Sequence, residues 1–315
     1  MRRLATLVLL LTCVAAYAQK TQLAPTPPAQ SEPATTLKVD VKLVNVYVTV
    51  TDAQGSPVAG LEKEDFVLQE DGIPQTIAVF DRESGVPLSI ALAVDTSLST
   101  RHDLPLEQAS AKRFAHDIVR PIDALSVFGF SETVEQANSY TPNLRRIDGA
   151  IDHIQPGAAT ALYDAIYLIS HSLGRRQGRK VLVLITDGGD TVSKIDYQQA
   201  LRAAEEAETI VYSIIVVPIP NSAGREIGGE HALIQLSEDT GGKYYYATSI
   251  TQLDDAFRQI SDELRTQYLL AYYPSRRLSD SDFRRIEVSV SGNGSIPGPY
   301  KVRHRAGYYT VKSEF

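Results

Sequence analysis

The chain predicts an α/β protein, in which a doubly wound, mostly parallel sheet is inserted into a small β-sandwich built from the N- and C-terminal segments. Three observations lead there. Two runs, Leu-Ser-Ile-Ala-Leu-Ala-Val at 88–94 and Val-Leu-Val-Leu-Ile at 181–185, are apolar at nearly every position. Such runs suit strands covered on both faces, as in parallel sheets. Around them, strand patterns alternate with stretches of helical period, the arrangement of a sheet wrapped by helices. Finally, period-two strands occur at both ends of the chain, and neither set has enough strands to bury a face by itself. Pairing the two ends solves both problems at once.

Taken in order, the chain starts with Arg2 and Arg3, an apolar stretch from Leu4 to Ala16, and Ala16-Tyr17-Ala18, a small-x-small cleavage pattern. This predicts a secretory signal over 1–18, too short to span a membrane comfortably. Loss of the two arginines takes the formal charge of −7 to −9. Cys13, the only cysteine, would leave with the signal, so no disulfide framework or thiol chemistry is expected. Residues 19–36 carry Pro25, Pro27, Pro28 and Pro33 among small polar residues and read as an extended tether.

Residues 37–84 read as the first part of the sandwich. Val39 and Val41 alternate in one parity and Val44, Val46, Val48 and Val50 in the other, which predicts a bulge or change of sheet near Leu43. Further strands flank the Asp71-Gly72 turn. Residues 85–265 form the α/β part. Helices are predicted at 106–120, after Thr160 with Leu162, Ala165, Ile166, Ile169 and Leu173 on one face, at 197–207, and at 231–239 before Gly241-Gly242. Strands are predicted at 124–130, 209–217 and 243–246. A last helix, with Thr251 as its cap, shows Leu253, Ala256, Phe257, Ile260 and Leu264 on one face. Residues 266–312 return to β, with Ile286, Val288 and Val290 alternating and the basic residues of 301–305 directed outward.

The chemistry gathers where strands should end. Directly after the first apolar run comes Asp95-Thr96-Ser97-Leu98-Ser99; the second ends at Thr186-Asp187; between them, Gly157-Ala158-Ala159-Thr160 puts a hydroxyl before a helix. In open parallel sheets ligands bind at the carboxyl ends of strands. Carboxylates and hydroxyls without imidazole or thiolate suit a hard divalent cation rather than zinc or copper. The pattern D-x-S-x-S, a Thr in a later loop and an Asp closing a second strand resembles the metal-ion-dependent adhesion site of the von Willebrand factor type A (VWA) domain. Together with Gln267 to Pro274 and Gly307-Tyr308-Tyr309, it resembles the bacterial VWFA-related secreted proteins typical of acidobacteria, over about 38–310. The resemblance implies that Ser97, Ser99 and Thr160 ligate Mg2+ (or Mn2+ or Ca2+), with Asp95 and Asp187 often acting through water. It implies a protein partner presenting Asp or Glu to the metal. Ala158-Ala159 stands where many relatives have glycine. In relatives the C-terminal helix shifts on ligand binding; here that helix runs almost directly into the strand at Tyr268, which predicts a relay to the sandwich.

Asp164 reads either as a positioning residue or as a first-turn acid favoured by the helix dipole, and Asp190 as a carboxylate near the site but not a ligand. The net negative charge speaks against nucleic-acid binding. Gly129-Phe130-Ser131-Glu132-Thr133 lacks the second glycine of a hydrolase elbow, the six histidines show no H-E-x-x-H spacing, and there is no phosphate-binding glycine motif. No enzyme is expected. The basic residues after Pro274 suit either an anionic surface or a solvated sheet face. The expected function is a secreted or periplasmic, metal-dependent protein-binding module; the alternative is an envelope assembly component whose metal only stabilises the fold.

Overall fold

The computed structural model describes residues 43–82, 85–98, 104–217, 227–276, 283–291 and 299–310. The expected signal and tether, Val39 and Val41, and the site candidate Ser99 lie outside the described residues.

The N-terminal segment forms β1 (Val44–Thr51), β2 (Phe66–Glu70), β3 (Ile73–Pro74) and β4 (Ile77–Asp81). β2 and β3 make a two-residue hairpin over Asp71 and Gly72, both at positive φ (49° and 75°). That geometry selects Asp-Gly, because few residues with a Cβ accept the left-handed region. The chain then builds β5 (Leu88–Asp95), α1 (Leu104–Ile118), β6 (Ala124–Phe130), β7 (Val134–Gln136), α2 (Leu144–Asp152), α3 (Leu162–Gly174), β8 (Arg179–Thr186), α4 (Tyr197–Glu206), β9 (Thr209–Val216), α5 (Ile227–Asp239) and β10 (Tyr244–Ala247). It closes with α6 (Ile250–Thr266), β11 (Tyr268–Tyr272), β12 (Phe283–Val290), β13 (Lys301–Arg303) and β14 (Gly307–Tyr309).

Six strands form the central sheet in the order β10-β9-β8-β5-β6-β7, parallel except for β7 on the edge. The parity of β5 shows how it is covered. Leu88, Ile90, Leu92 and Val94 face a core with Phe114 of α1 and Phe257 and Ile260 of α6. Ala91 and Ala93 face the opposite core, where small side chains let α3 lie close with Leu162, Ala165, Ile166 and Ile169. The chain leaves β5 towards β6 on one side and later returns to β8 on the other. The crevice therefore opens between the carboxyl ends of β5 and β8, at the topological switch point.

The terminal segments form two antiparallel sheets, β13-β1-β11-β4 and β14-β12-β2-β3. Each interleaves strands from both ends of the chain. Their inner faces share one apolar core, from Val46 and Val48 to Tyr268, Leu270, Ile286 and Val288, as the sequence predicts for strands that cannot bury a face unaided.

Several local expectations change. Ser249, not Thr251, caps α6, accepting from the backbone N–H of Gln252 (3.3 Å). α5 begins earlier than residue 231, at Ile227. α2 has no counterpart in the sequence reading, although Ile147, Ala150 and Ile151 are buried at helical spacing and Asn143 caps it. The basic residues of the C-terminal part neither lie wholly on a solvated face nor form an exposed patch. Arg284 is 3% exposed and pairs with the buried Glu70 at 2.7 Å, whose carboxylate also accepts from the hydroxyls of Tyr272 and Tyr308. Arg303 pairs with Glu263 of α6, and Arg305 donates to the carbonyl of Asn45. A charged side chain in a half-buried strand goes inward when a partner carboxylate waits there, because an unpaired buried charge is far costlier.

The central sheet and the sandwich meet at a buried polar cluster. Only Gln267 separates α6 from β11. Its side chain donates to Thr49 (3.1 Å) and Tyr212 (3.3 Å) and accepts from Arg179 (2.9 Å). Glu263 accepts from Tyr212 (2.5 Å) and Thr49 (3.3 Å) in the same cluster.

Candidate metal centre

Asp95 is the last residue of β5 and is fully buried. Its Oδ1 accepts from the backbone N–H of Ser97 (2.9 Å) and its Oδ2 from the Thr186 hydroxyl (2.7 Å) at the end of β8. Burial raises its carboxyl to about 6, and the nearby Asp187 adds to the rise. Both oxygens are thus already engaged. That suits a carboxylate that orients its neighbours and supplies charge better than one bound directly to a metal. Ser97 is buried beside it. Asp187 is half-buried and accepts from the Gly189 N–H at 3.2 Å.

Thr160 reaches the same crevice from the loop before α3. The Gly157 N–H donates to the carbonyl of Thr96 (2.8 Å), and the Ala161 N–H to that of Ser131 (2.7 Å), so the loop is drawn against both strand ends. Gly157 is required here: a Cβ would stand 2.2 Å from the Ser131 Oγ. The Thr160 backbone is clasped by Thr191, whose hydroxyl accepts from the Thr160 N–H (2.9 Å) and whose own N–H donates back to the Thr160 carbonyl (2.9 Å). Thr160 is 4% exposed, and among the described residues its hydroxyl has no hydrogen-bond partner. Its oxygen is not one of the fully buried polar atoms that lack a partner, so it opens to the crevice, where water or an oxygen-seeking cation can meet it.

Four of the five sequence-predicted residues, Asp95, Ser97, Thr160 and Asp187, therefore lie on loops tied to one another at the crevice; Ser99 lies outside the described residues. The donor set is all oxygen with two carboxylates that repel each other, which fits a hard divalent cation. Among the described residues no group of three or more His, Cys, Asp and Glu side chains is placed to hold a metal ion, so a cation here would rely on the hydroxyls.

Residues outside the five-residue pattern carry the frame. Glu132, after β6, accepts from the N–H groups of Ala158 (2.9 Å) and Ala159 (3.4 Å), and these bonds lower its carboxyl to about 2. The two alanines thus keep their backbone donors for a neighbouring carboxylate. Asp190 accepts from the N–H groups of Leu162 (2.8 Å) and Tyr163 (3.4 Å), so it caps α3 from another loop, the methyl of Ala161 having no acceptor to do so. Asp164 sits in the first turn of α3, and its carboxylate also holds the N–H groups of Lys194 (3.0 Å) and Ile195 (3.1 Å). Its role is thus to fasten the loop after Asp187 to the helix after Thr160. The sequence signals for this are the first-turn position of Asp164 and the polar density of Asp190-Thr191-Val192-Ser193.

A parallel sheet with an oxygen-donor crevice at its switch point defines a class of α/β binding domain. Within it, the chain belongs to the von Willebrand factor type A domain family, whose model matches residues 89–259, more than half its length. No curated protein matches the sequence. Among solved structures it is similar to proximal thread matrix protein 1 from the mussel byssus (TM-score 0.50, 16% identity, 62% of this chain and 51% of that one). It is also similar to a von Willebrand factor type A protein from Catenulispora acidiphila (TM-score 0.49, 10% identity, 77% and 73%). A third is the vWF domain of the type V pili tip protein Mfa5 from Porphyromonas gingivalis (TM-score 0.46, 11% identity, 56% and 94%). At such identities the likeness concerns the fold.

Proposed function

We propose that this chain is a secreted or periplasmic, non-enzymatic protein-binding module that captures an acidic residue of a partner protein through a divalent cation, Mg2+ above Mn2+ or Ca2+. The observation that carries this reading is that the Thr160 loop, the Asp95–Ser97 turn and the end of β8 are bonded to one another, which gathers oxygen-bearing side chains at one crevice. Bound there, Mg2+ would supply an electrophilic centre with an octahedral position left for a carboxylate oxygen of the partner. Ser97, Ser99 and Thr160 would hold it by neutral hydroxyls. Asp95, locked by Thr186 and the Ser97 N–H, orients the first loop, and Asp187 offers the second negative charge. Among the described residues no helix is long and apolar enough to cross a membrane.

Assembly through sandwich edges has less support. The outer strands β3, β13 and β14 are two or three residues long and β4 is five, and short edges offer little to pair with. The test is calorimetric titration of Mg2+ into EDTA-treated protein beside Asp95→Ala and Thr160→Ala variants that keep the wild-type circular dichroism. Binding by the wild type and loss in both variants is the expected result. Equal heats in all three would overturn the reading.

A further inference from the structure

At the opposite end of the central sheet lies an arginine that is, among the described residues, the largest fully buried side chain. Arg179, the first residue of β8, is 2% exposed. Its Nη1 donates to the neutral amide oxygen of Gln267 (2.9 Å), its guanidinium lies 5.4 Å from the centre of the Tyr47 ring, and its Nε has no partner. Among the described residues no carboxylate stands within ion-pairing distance of it. A guanidinium does not shed its proton to escape burial, so the charge remains and calls for an anion.

Arg179 lines a cleft of about 360 Å³ between the C-terminal ends of α1 and α6. Two more guanidiniums line it, Arg120 and Arg265. Arg120 is paired with Asp123 (2.8 Å), whereas Arg265 donates only to the backbone carbonyl of Asp117. Three cations thus face one carboxylate. The two helix C-termini offset about half a charge each at most, which leaves the cleft positive. The rest of its wall is apolar, from Leu88, Ile118 and Leu264.

We propose that this cleft is a binding site for an organic oxyanion, a carboxylate or phosphate monoester whose oxygens meet Arg179 and Arg265 and whose hydrocarbon chain lies on Leu88, Ile118 and Leu264. Forked guanidinium donors match two oxygens of such a head group, and the cleft is larger than an inorganic anion fills. The site is separate from the metal crevice and does not depend on it.

The test titrates hexyl phosphate, hexanoate and inorganic phosphate into the full chain by calorimetry in low-chloride buffer. At least one tailed probe should bind one to one, and more tightly than inorganic phosphate by about three- to fourfold for each methylene buried. The stronger tailed probe identifies the head group. Arg179→Met, which keeps the bulk of the side chain, should lose at least tenfold in affinity. Arg265→Ser, at the rim, should lose severalfold and decides the matter if the first variant does not fold. No binding of either tailed probe, equal affinity for inorganic phosphate, or wild-type affinity in a folded variant would overturn the proposal.

Discussion

Asp95 concentrates the chemistry of the candidate metal crevice in one group. Its carboxyl is raised from 3.8 to about 6, chiefly by burial. In metal-free protein the native state therefore holds a proton that the unfolded state has released between about pH 4 and 6, so this group's contribution to stability falls as pH rises through that window. A shift of two units corresponds to about 3 kcal/mol. We expect EDTA-treated protein to lose about that much between pH 4 and 7 in urea titrations, and Asp95→Asn to abolish the slope. Excess Mg2+ should also flatten it, since a bound cation favours the ionised form. A second expectation concerns Gly157. Its absent Cβ is what lets the Thr160 loop approach Ser131, so Gly157→Ala should cost about 1–3 kcal/mol and weaken Mg2+ binding. Unchanged binding heats in that variant would show that the loop has another way to close.

At the level of elements, the notable device is that α3 is capped from outside. Asp190 accepts from its first N–H groups and Asp164 returns the grip on residues 194–195. The segments bearing Thr160 and Asp187 are thereby fixed to each other without a metal. Asp190→Ala should cost about 1 kcal/mol, as other helix caps do, and should weaken Mg2+ binding as well. A variant with lower urea stability and unaltered Mg2+ affinity would limit Asp190 to the helix. α6 is held differently. Leu253, Phe257, Ile260 and Leu264 are all nearly fully buried, each contributing about 1.5–3 kcal/mol, and its last turn offers Glu263 to Tyr212, Thr49 and Arg303.

For the molecule as a whole, buried polar groups tie the two ends of the chain together. Glu70 of β2 and Arg284 of β12 come from opposite ends of the sequence and are both buried. Glu70→Leu alone should cost about 3–5 kcal/mol because it strands Arg284, whereas Glu70→Leu with Arg284→Met should recover part of that loss, the hydroxyls of Tyr272 and Tyr308 still lacking their acceptor. Thermal unfolding of the double variant between the single variant and the wild type is the expected pattern. A relay from the metal crevice to the sandwich would pass through α6, Gln267 and β11. If it operates, pinning α6 to the central sheet by a cross-link alters partner affinity; unchanged affinity would rule the relay out.

Some of this was readable in one dimension. The all-apolar runs at 88–94 and 181–185 announce strands buried on both faces, because a continuous apolar pattern suits neither a turn nor a half-exposed strand. The D-x-S-x-S loop, Thr160 and Asp187 could be ordered along the chain because each directly follows or precedes a legible element. The unpaired strand sets at the two ends implied that they pair, since neither could bury a face alone. What sequence alone could not decide is which distant groups meet. The inward turn of Arg284 and Arg303, the capping of α3 by Asp190, the cradling of Ala158 and Ala159 by Glu132 and the burial of Arg179 against Gln267 and Tyr47 each depend on a partner tens of residues or more away. A charged residue in a strand looks the same whether it faces water or a buried carboxylate, and only packing fixes which. Local periodicity specifies elements through short-range sterics and burial, while charge pairing and close backbone approach are set by three-dimensional neighbours, which tertiary structure alone supplies.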